Sequence, residues 1–290
     1  MRPSEKSSRF VMILSMVIFG TIGILRRYIP YSSSLVAMVR GIIGSIFLLM
    51  VILLSKKSFD KSAIRSNLLL LVFSGAAIGF NWIFLFEAYN YTTVATATLC
   101  YYLAPIIVIL LSPVVLKEKL TLKKILCTAA ALVGMVLVSG VLENGASANG
   151  SENHMMGVIY GLLAALLYAS VILMNKKMKP IPAYDKTILQ LSIAAVTLIP
   201  YVLLTEDLSS ITFDPIPVLL LVIAGIVHTG IAYAMYFSSM SSLRSHTIAL
   251  LSYIDPILAV VLSMLILKEP MTISAAIGSV LILGASFISE

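Results

Sequence analysis

Residues 86–118, "FEAYNYTTVATATLCYYLAPIIVILLSPVVLKE", recur without a gap as residues 237–269, "FSSMSSLRSHTIALLSYIDPILAVVLSMLILKE". The offset is 151 throughout: Tyr102 falls on Tyr253, Pro105 on Pro256, and Lys117-Glu118 on Lys268-Glu269. Shared apolar residues are cheap in a hydrophobic segment. A fixed spacing of tyrosine, proline and a Lys-Glu pair is not, and it marks an internal duplication. The one conspicuous difference is chemical: Asp255 precedes the second proline, where the first copy has Ala104.

Working outward, ten apolar stretches of spanning length follow one another, near 10–28, 34–54, 67–89, 94–115, 123–141, 155–174, 187–205, 217–238, 246–267 and 272–288. The chain is 60% hydrophobic and only 11% charged, with a mean hydropathy of +1.04, too little charge to cover a soluble surface. A backbone in hydrocarbon must satisfy its own hydrogen bonds, so the spans are predicted helices. The expected fold is an all-α integral membrane protein of ten transmembrane helices. The N-terminal "MRPSEKSSR" resembles the start of a signal peptide, but the apolar run after it is long and lacks a small-x-small cleavage site. An uncleaved first span is expected. Cys100 and Cys127 lie apart in apolar runs and read as small core residues, neither a disulfide framework nor a metal site.

Each half carries five spans. Five is odd, so the second copy enters the membrane from the opposite face. Boundaries follow: a first repeat over 1–142, a linker over 143–154 and a second repeat over 155–290. With a cytoplasmic N-terminus, sixteen of the 20 basic residues fall on the cytoplasmic side. Arg26, Arg27 and Lys268 fall outside, and Arg40 lies within a span. That bias predicts a cytoplasmic-membrane protein with both termini inside. It also accounts for the net charge of +7 without any nucleic-acid partner. Inverted repeats place two half-sites opposite each other near the midplane and permit alternating access.

At the residues "AYNYTTVATATLCYYLAPIIVILLSPVVLKEKLT" and "LLSYIDPILAVVLSMLILKEPMT" the chain resembles the EamA-type group of the drug/metabolite transporter superfamily. "VRGIIGSIFLL" in span two, and Gly134 and Gly284 late in spans five and ten, support it. The resemblance implies ten helices around a central cavity and transport of small organic metabolites, amino acids or related solutes among them, with export as the expected direction. A facilitative, channel-like pore is the alternative. A membrane enzyme would need a nucleophile with its base, a metal cluster or a carboxylate pair. The candidates here are too scattered for that, so no enzyme activity and no cofactor are expected.

Pro105 and Pro256 lack amide hydrogens and free the carbonyls of Tyr101 and Ser252, which suits a helix break at a cavity. Asp255, about midway along its span, costs about 2.5–3.5 kcal/mol at the bilayer centre unless it faces water or a partner. A proton carrier or a packing carboxyl both fit, and protons are the candidate coupling ion. Arg40 cannot lose its charge and needs an anion, either a substrate carboxylate, Asp255 or Glu87, unless it snorkels to the interface. His228 reads as a structural residue or a cavity group. Asn81, Trp82 and the stripe Thr187-Gln190-Ala194-Thr197 are polar faces suited to a cavity. Tyr101, Tyr102 and Tyr253 flank the two breaks. The pairs Gly75–Gly79 and Gly157–Gly161 are expected to pack helices within one chain. A monomer or weak homodimer in the lipid bilayer is the expected state.

Overall fold

The computed structural model of the chain describes residues 5–55, 58–117, 120–138, 154–207, 214–240, 243 and 245–289. Among these every regular element is a helix. The first half holds α1 (Glu5–Gly20), α2 (Ile22–Arg27), α3 (Ser33–Leu54), a short α4 (Lys61–Ser66), α5 (Leu68–Tyr91), α6 (Val94–Tyr101), α7 (Ala104–Val115) and α8 (Leu122–Val138). The second holds α9 (His154–Lys177), α10 (Ala183–Thr205), α11 (Pro215–Ile223), a π-helical segment (Ala224–Ile231), α12 (Ala232–Met240), α13 (Ser245–Ser252), α14 (Ile254–Leu265) and α15 (Ile273–Ser289). Of the linker only His154, the first residue of α9, is described, and Glu118 lies outside the described residues.

Seven helical runs are long and apolar enough to cross a membrane: Glu5–Arg27, Ser33–Leu54, Leu68–Tyr91, Val94–Val115, His154–Lys177, Ala183–Thr205 and Pro215–Ser239. The other three predicted spans fall on α8, on α13 with α14, and on α15. Side-chain caps set several starts. Ser32 accepts from Leu35 N at 3.3 Å, Asp60 from Ala63 N at 3.0 Å and Thr93 from Thr96 N at 3.0 Å.

The duplication shows in the backbone. The helix breaks at Tyr102 and Leu103 before α7 and at Tyr253 before α14, each just ahead of its proline. Lys117 (φ 58°) and Lys268 (φ 55°) are the positive-φ residues other than glycine among those described, again 151 apart. A left-handed residue just past a helix end turns the chain sharply out of the helix.

The two halves interlace. The most extensive helix contacts are α5 with α9, α8 with α15, and α10 with both α5 and α3. Glycines permit this closeness. A Cβ on Gly134 would lie 2.7 Å from the Gly278 carbonyl, and one on Gly75 would lie 2.7 Å from Ile193. One on Gly157 would meet Thr92 at 2.7 Å, and one on Gly161 Cys100 at the same distance, so both glycine pairs pack helices of one chain. Gly278, not Gly284, pairs with Gly134; Gly284 faces open space.

Two runs that read as regular α-helices depart from that geometry. Span one breaks at Thr21, whose hydroxyl donates to the Ile18 carbonyl at 2.7 Å. Gly20 and Gly23 flank the break. A Cβ on Gly20 would stand 2.8 Å from the Asp255 carbonyl, and one on Gly23 2.5 Å from Val94. Span eight is π-helical over Ala224–Ile231, where Thr229 Oγ1 donates to the Ala224 carbonyl five residues back, at 3.1 Å. Such wide turns concentrate at functional sites.

Candidate functional site

The breaks in α1–α2, α6–α7 and α13–α14 and the π segment surround one cavity of about 490 Å³, within the range that holds a small metabolite. Its wall takes residues from both halves. Arg40, Trp82, Tyr101, Tyr102, Pro105, His228, Tyr253 and Asp255 line it.

Arg40 is 5% exposed. Its Nε donates to Thr229 Oγ1 at 3.1 Å, and its Cζ stands 4.4 Å from the Trp82 ring centroid and 5.2 Å from that of Phe86. The guanidinium is thus held inside the protein, against side chains of other helices. The two rings contribute cation–π attraction, roughly 2 kcal/mol or more when desolvated. The ion pairs among the described residues are Arg9–Glu5 and Arg27–Glu269, so Arg40 has no carboxylate partner there. Glu87 instead accepts from Asn90 Nδ2 at 3.3 Å. The position of Arg40 depends on close backbone approach: a Cβ on Gly44 would fall 2.3 Å from the Thr229 methyl, and one on Gly225 2.6 Å from Ile43.

Asp255 lines the same cavity. Its Oδ2 accepts from the Tyr102 hydroxyl at 2.7 Å. Tyr101 stacks on Tyr168 at 5.2 Å and meets Tyr102 edge-on at 5.9 Å. Tyr253 meets Phe287 edge-on at 5.7 Å. His228 Nε2 lies 2.9 Å from Thr21 Oγ1, tying the π segment to the break in span one. Phe19, Tyr233 and Tyr236 complete an aromatic flank, with Phe19 and Tyr233 edge-on at 5.1 Å. Among the described residues the cavity therefore offers one guanidinium, one carboxyl, one imidazole and a belt of aromatic faces and phenols.

Asn81 and Gln190 do not line it. Asn81 Nδ2 donates to the Ala164 carbonyl at 2.6 Å, joining α5 to α9. Gln190 Nε2 donates to Ser74 Oγ at 2.6 Å and to Asn175 Oδ1 at 2.8 Å, and the stripe it belongs to is absent from the cavity wall. The reason is packing. Gly75 and Gly79 bring α5 so near α10 that a Cβ on Gly75 would sit 2.9 Å from the Gln190 carbonyl, leaving no room for a cavity. Sequence reasoning missed Thr21, Thr229, Phe86, Tyr168 and Tyr233. The usable signals were the glycines flanking Thr21 and Thr229.

A family model for the EamA-like transporter family matches residues 7–140 and again 155–289. An uncharacterized transporter of Bacillus subtilis, YxxF, is 32% identical over 263 residues, covering 89% of this chain and 81% of its own. An uncharacterized transporter of Archaeoglobus fulgidus is 25% identical over 279 residues, 96% of this chain and 94% of its own. Protein PecM of Dickeya dadantii is 27% identical over 229 residues, 76% of this chain and 73% of its own. A solved crystal structure superposes with a TM-score of 0.67 at 20% identity over 100% of this chain and 98% of that one, a likeness of fold. The chain belongs to the EamA-like transporter family; it is a multi-pass membrane transporter, not an enzyme.

Proposed function

We propose that this EamA-like transporter exports small organic metabolites bearing a carboxylate, amino acids and related solutes foremost, by alternating access. In this reading ten helices cross the cytoplasmic membrane as two inverted five-helix repeats, over 1–142 and 155–290, with an outer linker at 143–154 and both termini inside. The observation that carries it is Arg40: a buried guanidinium on the cavity wall, its Nε engaged by Thr229 and its face covered by Trp82 and Phe86, with no carboxylate partner among the described residues. A buried charge is costly unless paired, and the edge nitrogens suit a planar carboxylate. Asp255 stands on the same wall as a proton carrier or as the acceptor for a substrate amine. The aromatic belt holds the apolar remainder of the solute.

The test is counterflow. Proteoliposomes preloaded with a mixture of amino acids should accumulate the radiolabelled form of one of them transiently and saturably. Non-saturable, one-way equilibration would favour the channel-like alternative. A thermal-shift screen of amino acids against the corresponding amides, which lack the carboxylate, would find stabilisation only with the acids.

A further inference from the structure

Away from the cavity, one cluster of charged groups joins the two repeats, and transport through the cavity does not by itself require it. Glu269, just past the left-handed Lys268, sends its two carboxylate oxygens to the other half of the chain. Oε1 accepts from Arg27 Nη2 at 2.8 Å. Oε2 accepts from the backbone N–H of Val94, the first residue of α6, at 2.8 Å, and also from the Ser263 hydroxyl. Arg27 Nη2 donates in addition to the Thr92 carbonyl at 2.7 Å. The Glu269 N–H donates to the Ser263 carbonyl at 3.2 Å, which holds the turn in shape. Among the described residues this is the one ion pair between distant parts of the chain; the other, Arg9–Glu5, is one helical turn long.

Its position gives it mechanical consequence. Arg27 ends α2, which continues past Gly23 from the break at Thr21. Val94 begins α6, which carries the cavity residues Thr98 and Tyr101. Glu269 follows α14, which carries Asp255 and Ala259. A carboxylate at a helix N-terminus satisfies an orphan N–H and complements the helix dipole. Here that carboxylate comes from the opposite repeat, so one residue clamps three cavity-lining segments at one end of the cavity.

We propose that Arg27 and Glu269 form the lock that keeps the outer end of the cavity closed, and that their separation opens the cavity outward. The proposal rests on the orientation and alternating access argued above. Rocking one repeat against the other must break cross-repeat contacts at one end, and a pair exposed by only 31% and 13% at its side chains can be rehydrated as it parts. A lock of this kind sets the population of the outward-open form without touching the solute.

The test is accessibility of a reporter thiol on the cavity wall. Thr98→Cys is introduced into the full chain, and reaction with a membrane-impermeant maleimide is timed in right-side-out and inside-out vesicles, with the chain lacking the reporter as background. Glu269→Gln removes the charge and keeps an acceptor for Val94 N–H; Arg27→Gln reaches the same pair from the other side. Each should speed labelling from the outer face by about fivefold or more and slow it from the inner face. In a second experiment, Arg27→Cys with Glu269→Cys, joined by a short reducible bis-thiol reagent, should block counterflow until reductant is added. Unchanged outer labelling in both glutamine variants overturns the lock, as does full counterflow through the cross-linked protein. Labelling needs no solute, so a failure there counts against the lock, whereas absence of counterflow in the unmodified protein counts against the transport reading.

Discussion

The Tyr102 hydroxyl donates to Asp255 Oδ2 at 2.7 Å, joining the first repeat to the second at their matched helix breaks. Tyr102 stands three residues before Pro105, and Asp255 stands one residue before Pro256. The bond therefore connects non-equivalent positions of the two copies and depends on the aspartate that stands where the first copy has Ala104. A symmetric pair of repeats could not make it once; it would have to make it twice or not at all.

This bond sets the first expectation. Tyr102→Phe and Asp255→Ala should each lower thermal stability by about 0.5–1.5 kcal/mol through the lost hydrogen bond, more for the aspartate if the phenol is left unsatisfied. The double variant should cost less than the sum of the two, because a shared interaction is removed only once. Thermal unfolding of the purified protein in detergent measures all three. Additive losses would mean that the two side chains do not interact in the protein.

Arg40 gives the second. Arg40→Lys keeps a charge but loses the planar fork and the Nε donor to Thr229. Affinity for a carboxylate solute should fall ~10- to 100-fold, the equivalent of one charge-assisted hydrogen bond, while folded yield is kept. Arg40→Ala should abolish saturable counterflow. Normal transport by the alanine variant would mean that the guanidinium serves packing alone.

Much of this architecture was legible in the sequence, for a definite reason. The repeat forces equal backbone events at equal positions, so the breaks before Pro105 and Pro256 could be read from spacing, and the left-handed pair Lys117 and Lys268 falls on the same alignment. The break at Thr21 and the π segment were harder to read, because an apolar run carries no periodic sign of a widened turn and the flanking glycines signal only close packing. Their cause is tertiary: glycines at 20, 23, 225 and 230 let neighbouring helices press in. Polarity was also a poor guide to the cavity wall. Asn81 and Gln190 use their amides between helices, whereas Tyr168 and Tyr233, ordinary aromatics in apolar runs, face the cavity.

Glycine substitutions separate close packing from mere composition. Gly44→Ala puts a Cβ 2.3 Å from the Thr229 methyl and should cost about 1–3 kcal/mol as the π segment is pushed away. Gly134→Ala meets a backbone oxygen at 2.7 Å and should behave alike. Gly284→Ala meets nothing within 4 Å and should raise stability by up to about 1 kcal/mol through helix propensity. Melting temperatures of the three variants check the ordering, and equal effects would contradict the packing described for α3 and α8.

Orientation has its own check. Cysteines at Asp214 and Ser58, both exposed, lie on opposite faces if both termini are cytoplasmic. Intact cells should label Asp214→Cys with an impermeant reagent and leave Ser58→Cys unlabelled until permeabilised. Labelling of Ser58→Cys in intact cells reverses the assigned topology.

Asp255→Asn tests the coupling of transport to protons. The substitution keeps the shape of the side chain, and the amide oxygen can still accept from Tyr102, but the group no longer ionises. A proton-coupled cycle needs a group that binds a proton on one side and releases it on the other, and Asp255 is the carboxyl on the cavity wall among the described residues. The asparagine variant should therefore lose accumulation driven by a pH gradient while still exchanging solute for solute across the membrane. Retention of both activities makes the carboxyl a packing group joined to Tyr102. Loss of both, in a protein with normal melting behaviour, assigns Asp255 to the amine of the solute. The three outcomes differ in two measurements, net uptake under an imposed pH gradient and counterflow without one, so the role of the carboxyl follows from a single set of proteoliposomes.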